Sequence, residues 1–266
     1  FVACESWLGA KPGHVRPVGF ALYMVVNQLG IALGQLGVDS SSRGFTTALI
    51  LSAAIYAGAI LFVPRRNEAV ASAVNKTRPR VRIASPRVLA PAVASGVFVG
   101  AVLNTGPLFV ANAGHSHVAG SFIASVVLAG LLLQLPVARL SGPYGSGRLI
   151  QWTALALVCV GVTAALMPPH STLSLHIVGT AMGAFGFLLY PLAACGGLAE
   201  AQPHERQATS GQLLLAFGAG ATCAPSLVIV FGSSPRGLPL VVALAGLIAW
   251  SSAVDLASRS VQRARP

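Results

Sequence analysis

Eight runs of about 20 mostly apolar residues, separated by polar stretches, organise this chain. They cover residues 18–38, 46–63, 88–110, 118–138, 149–167, 173–198, 210–231 and 238–257. A helix of about 20 residues rises about 30 Å, the hydrocarbon thickness of a bilayer, so each run predicts a membrane-crossing helix. Among Asp, Glu, Lys, Arg and His, only His176 and Asp255 fall within the runs, each near a helix end. That emptiness is what lipid demands, since a charge at the bilayer centre costs about 3 kcal/mol on even the lowest scales. The expected fold is all-α, a polytopic membrane helix bundle.

The polar connections carry a second pattern. If the stretch before the first run faces the cytoplasm, so do residues 64–87, the connections holding Arg139, Arg148 and Arg206, and the C-terminal tail. That side then collects every one of the 17 Lys and Arg except Arg43 and Arg236. Basic residues gather on the cytoplasmic side of membrane proteins, so the alternation supports eight spans in a bacterial plasma membrane, with residues 64–87 and the C-terminus cytoplasmic. The basic segment 64–87 divides two helices from six, as the loop between the halves of a twelve-helix transporter does. We therefore expect residues 1–63 to be the remainder of a first bundle, 64–87 an inter-domain loop, 88–257 a second, six-helix bundle, and 258–266 a tail. The chain opens on Phe1, and the helix count leads us to expect four further helices ahead of it, the fourth ending within residues 1–8. A faint repeat agrees: Gly30 and Gly34 follow Arg16 by the same intervals at which Gly220 and Ala224 follow Arg206.

Composition excludes other classes. With 55% hydrophobic and 9% charged residues, the chain cannot cover a water-facing surface, which needs roughly 25% charged residues. The net charge of +11 invites a nucleic-acid reading, but such binders gather their cations on one face among aromatics. Here the cations mark helix ends, and no nucleic-acid partner is expected. Cys4, Cys159, Cys195 and Cys223 form no CxxC pair, so they predict small packing residues rather than a metal or redox site. No carboxylate lies at mid-span and His176 has no evident partner, so neither an enzyme nor a cofactor is expected.

Some polar and small positions inside the runs stand out. Tyr23, Asn27, Gly30 and Gly34 share one helical face, with Gln28 and Gln35 on the neighbouring one. Gly96, Gly100, Asn104 and Pro107 align on the third run, and Gly179, Gly183, Gly186 and Tyr190 on the sixth. Glycines let helices approach closely, whereas polar side chains in lipid must face protein or a water-filled cavity. Asn27, Gln28, Asn104, Gln134 and Tyr190 are the candidates for a cavity wall, with Gln134 near the cytoplasmic end of its run. Asn27 and Tyr190 should then face an internal cleft and not lipid. Tyr190-Pro191 marks a bent helix. His115, His117, His170 and His176 all fall on the outer side, without a recognised metal-ligand spacing.

Particular residues also resemble a known family. Glu5-Ser6-Trp7-Leu8, Arg16, Leu22-Tyr23-Met24-Val25-Val26-Asn27 and Gly34-Gln35 together resemble the YcaD-like branch of the major facilitator superfamily. The likeness continues through Leu133–Ser141, Tyr190-Pro191-Leu192-Ala193 and the stretch 218–225. It covers the chain as helices five to twelve of a partial major facilitator fold. The resemblance implies charge networks at the cytoplasmic helix ends, where Glu5 with Arg16 and Glu200 with Arg206 stand at partner positions. The family's loop motif would lie at 139–148, where only Arg148 remains of the motif and Gly142 and Pro143 replace its acidic and basic positions.

The function expected is a secondary transporter of a small solute by alternating access, with Glu5, Arg16, Arg139, Arg148, Glu200 and Arg206 as a cytoplasmic gate. The sequence does not name the solute. Proton or ion coupling would rest on helices ahead of residue 1, or the protein is a facilitator. Alone, this chain is expected to be inactive, because half of the cavity is missing. The alternative is a non-transporting sensor or scaffold on the same fold.

Overall fold

Helices make up the regular structure of the chain, a computed structural model of which describes residues 16–39, 50, 53–54, 84–202, 204–232 and 235–263. They are α1 (Arg16–Asp39), α2 (Pro86–Asn112), α3 (Ala119–Tyr144, entered by a 3-10 turn at Ser116–Val118), α4 (Ser146–Leu166), α5 (Thr172–Gly186), α6 (Leu189–Glu200), α7 (Arg206–Val230) and α8 (Gly237–Arg263). Among the described residues there is no strand. The expected second run, 46–63, lies outside them apart from residues 50, 53 and 54, as does most of the basic segment 64–87.

Local chemistry sets the helix ends. Pro86 stands in the first turn of α2, where its missing N–H is no loss. Just before it, the Ala84 N–H donates to Gln212 Oε1 of α7 at 2.6 Å. Gly145 links α3 to α4 alone, with φ at +78°, a conformation that suits glycine. Ser171 and Ser174 form a reciprocal capping box at the start of α5. Hydroxyls inside the helices bond to their own backbone: Thr105 donates to the Ala101 carbonyl at 2.6 Å and Thr153 to that of Leu149 at 2.7 Å.

The run 173–198, expected as one helix, is broken in two at Phe187–Leu188. Pro191 has no N–H, so the Phe187 carbonyl loses its helical donor four residues on. The Leu188 N–H turns back to Phe185 in a tighter bond of 3.2 Å. Residues 172–200 together still make one crossing: among the described residues, five stretches are long and apolar enough to cross a membrane, namely Pro86–Asn112, Ser116–Ser141, Ser146–Leu166, Thr172–Glu200 and Arg206–Val230. Gly237–Ala253 is apolar but shorter.

The crossings alternate in direction, which the contacts between their ends record. At one end Ala84 meets Gln212, Ser146 lies beside Gly196, and Val88 lies beside Gly197. At the other, His115 of the α2–α3 connection meets Thr172 at the start of α5. Arg87, Arg139, Arg148, Glu200 and Arg206 therefore share the first end, and His115, His117, His170 and His176 share the second with Arg236.

Small residues carry the tightest packing. A Cβ on Gly96 or Gly100 of α2 would run into the backbone of Phe217 or Ala221 on α7, and one on Gly220 into the Val93 carbonyl. Gly183 of α5 sits as closely on Val126 of α3, and Gly161 and Gly246 bring α4 and α8 together. Between these seams lies an aromatic core in which Phe98 and Phe187 meet edge to face at 5.4 Å. The outer faces are apolar too, with Leu132, Leu166, Leu173, Leu215 and Val230 largely exposed. A bundle that is apolar both inside and outside is built for hydrocarbon.

Candidate functional site

The site forms where α1 lies against the rest of the bundle. On α1 the residues Ala21, Met24, Gln28 and Ala32 recur at helical spacing and are buried. This face packs on α3 and α6. It is the face next to the one the sequence singles out: Gly30 and Gly34 are exposed, and a Cβ on either would meet nothing within 4 Å. Between α1, α3 and α6 lies a narrow cleft of about 20 Å³. Ala21 contributes from α1, and Gln134, Val137, Ala138 and Ser141 from one face of α3. Leu188 of the helix break and Pro191, Leu192 and Cys195 of α6 close it.

Gln134 is the unusual member. Its side chain is 2% exposed, and among the described residues neither its amide nitrogen nor its carbonyl oxygen has a hydrogen-bond partner. Leaving a buried polar group unpaired costs about 1–3 kcal/mol. The Ser141 hydroxyl, by contrast, donates to the Ala138 carbonyl at 2.6 Å. Gln28 on α1 repeats the theme more weakly, at 3% exposed with its Oε1 unpaired among the described residues. No Asp, Glu, Lys, Arg or His side chain lines the cleft among the described residues.

The other sequence candidates take different places. Gln134 is deeper than its sequence position suggests, because α3 continues past residue 138 to Tyr144; ten residues of helix, about 15 Å, separate it from that end. Tyr190 is 6% exposed and turned inward, but it packs against Phe217 at 5.2 Å in a cluster with Met24, Val88 and Leu213. It stands beside the cleft lining. Asn27 is half-buried, and Asn104 is exposed on α2; neither lines the cleft. Ser141 and Cys195 do line it, although the sequence reading passed over both. Ser141 follows Gln134 by two helical turns and Cys195 follows Pro191 by one, so the signal was face sharing with residues already singled out.

Of the charges expected at a gate, Arg139, Arg148 and Glu200 are exposed at the end to which the cleft lies nearer. Arg206 is half-buried with its Nε unpaired, and among the described residues no ion pair joins it to Glu200. Arg16 opens α1, while its side chain and all of Glu5 lie outside the described residues. At the opposite end, Thr172 and His115 Nδ1 are 3.4 Å apart, and His176 lies between the Thr172 carbonyl (2.7 Å) and the Ser121 hydroxyl (3.2 Å). Among the described residues, no group of three or more His, Cys, Asp or Glu could hold a metal ion.

Comparison with known proteins places this architecture. The chain is 29% identical over 237 residues to the uncharacterized MFS-type transporter YcaD of Salmonella arizonae, matching 85% of this chain and 60% of that protein. Proteins of the same name from Salmonella paratyphi B and Salmonella typhimurium are 28% identical over 234 residues, with the same coverage. The chain is related to the YcaD MFS-type transporters. It spans about 60% of the length of these relatives. No protein-family profile matches it, and no solved structure does either. The likeness read from residues such as Tyr23–Asn27 and Tyr190-Pro191 thus extends over most of a membrane-spanning helix bundle.

Proposed function

We propose that this chain forms the larger part of a secondary transporter of small solutes, in which α1 and the α2–α8 bundle belong to two bodies that rock about the cleft between them. On this reading residues 1–63 belong to one body, 88–257 to the other, and 64–87 join them. Gln134 and Gln28 lie at the solute path, and the end bearing Arg87, Arg139, Arg148 and Arg206 faces the cytoplasm of a bacterial plasma membrane. Alternating access requires a polar position at mid-depth between two bodies. The observation that carries the reading is the buried, unpartnered Gln134 carboxamide in a cleft walled by α1 on one side and by α3 and α6 on the other. The kinship with MFS-type transporters supports it. The exposed Arg139, Arg148 and Glu200 stand where gate charges at the cleft's nearer end would act. Asn27 and Tyr190, beside the lining, would support its wall, while Asn104 would join the path only when the far end opens.

Thiol accessibility tests this without knowing the solute. In the full-length gene product, with every native cysteine replaced by serine, Gln134→Cys is exposed in oriented vesicles to a membrane-impermeant maleimide. Labelling from each face in turn is the result expected of alternating access. Labelling from one face only would mark a fixed pocket and favour a sensor or scaffold on the same fold.

A further inference from the structure

Gly145 alone joins α3 to α4, at the end of the bundle that carries Arg148. Away from this corner the two helices go to different neighbours, α3 to α1 and α5 and α4 chiefly to α8. Across the corner the rings of Tyr144 and Trp152 meet at 5.5 Å. Both remain open, at 46% and 54% exposed. Arg148 is exposed as well, one turn before Trp152 on the same face of α4. That face continues apolar through the exposed Leu155, and on α3 the exposed Leu140 lies one turn before Tyr144.

The polar groups of the corner are unmet. Among the described residues, the Arg148 guanidinium, the Trp152 indole N–H and the Tyr144 hydroxyl have no hydrogen-bond or ion-pair partner. Glu200 stands at the same end, and no ion pair joins it to Arg148. All three groups can donate, and they stand at the rim of a surface built for hydrocarbon. Trp and Tyr settle at the headgroup level of a bilayer because one end of each is apolar and the other polar. A guanidinium holds a phosphate through two parallel N–H···O bonds. Arg148 lies about 6 Å nearer the start of α4 than Trp152. A phosphate on Arg148 would thus lead the lipid's ester groups past the aromatic pair and its chains along Leu140 and Leu155. A zwitterionic headgroup would bring its own cation towards the guanidinium, whereas a net negative one would not.

We propose that the corner formed by Tyr144, Arg148 and Trp152 binds the headgroup of an anionic phospholipid.

Trp152 reports its own occupant. In the full-length gene product every other tryptophan is replaced by phenylalanine, Trp7 and Trp250 among them, and the protein is reconstituted in phosphatidylcholine vesicles. Brominated phosphatidylglycerol or brominated phosphatidylcholine, whose bromines quench indole fluorescence on contact, is then titrated in. Phosphatidylglycerol should be preferred at Trp152 by about fivefold, the effect of one basic side chain at an anionic surface. Arg148→Gln should bring the ratio to about one, since that charge is the one removed. Arg139→Gln removes another exposed cation of the same end, about 140° round α3 from Tyr144, and should leave the preference in place. Equal binding of the two lipids before substitution, a preference that survives Arg148→Gln, or an equal loss in Arg139→Gln, the sign of diffuse surface charge, would each overturn the proposal. A second measurement spares the tryptophans. Phosphatidylglycerol added to the protein in detergent should raise Tm more than phosphatidylcholine does, and Arg148→Gln should erase the difference; its persistence there would count equally against the site.

Discussion

Gly96 and Gly100 on α2 and Gly30 and Gly34 on α1 show the same spacing of four residues, yet they live in opposite surroundings. The α2 pair is buried directly on the α7 backbone, with no room for a methyl group. The α1 pair is exposed, and nothing among the described residues would meet a Cβ there. A small-residue spacing thus records that a helix is able to approach a neighbour closely, and only the neighbour decides whether it does. The buried face of α1 is instead the adjacent one, through Ala21, Met24, Gln28 and Ala32, of which Ala21 lines the cleft.

Substitutions can break this comparison or sharpen it. The largest effect is expected at the closed seam: Gly100→Leu sets a side chain against rigid backbone at Ala221, and overpacking of that kind costs about 3 kcal/mol. Thermal unfolding in detergent should show a marked fall in Tm, and an unchanged Tm would mean that α2 and α7 are not in contact. Next comes Gln134→Leu, which removes an unpaired buried amide at similar volume. It should raise stability by about 1–2 kcal/mol, the desolvation penalty of the orphaned group, while removing the group proposed to lie at the solute path. A loss of stability would show that the amide is paired in the folded protein. The smallest effect belongs to the open face. Gly34→Ala should stabilise α1 by about 0.5–1 kcal/mol through helix propensity alone. If Gly34→Leu lowered Tm as much as Gly100→Leu does, the face would be covered in the folded protein and the contrast would vanish.

The sequence carried the crossings well, because burial in lipid leaves an uninterrupted apolar record. The runs beginning at 88, 118, 149, 210 and 238 reappear as α2, α3, α4, α7 and α8 within a few residues at their starts. Their ends were less legible: α3 continues past Ala138, since Leu140, Ser141 and Tyr144 are tolerated in a helix whether or not lipid surrounds it. The interruption at Phe187–Leu188 was half visible, as Tyr190-Pro191 announced a bend but periodicity cannot tell a bend from a break. Of the cleft, Gln134 was legible because a lone amide in an apolar run is costly. Ser141 and Cys195 were not, because small weakly polar residues cost little wherever they fall and so leave no mark of where they point.

The interrupted crossing has a mechanical meaning. Its pieces of 15 and 12 residues are about 22 and 18 Å long, each too short to span the hydrocarbon alone. The longer piece is pinned to α3 where Gly179 and Gly183 meet Phe122 and Val126, whereas the shorter one supplies Pro191, Leu192 and Cys195 to the cleft wall. A tilt of the shorter rod, made by turning a few backbone dihedrals at mid-depth, would therefore widen or narrow the opening at the expense of its Gly196–Ser146 and Gly197–Val88 contacts, leaving the α2–α7 and α3–α5 glycine seams undisturbed.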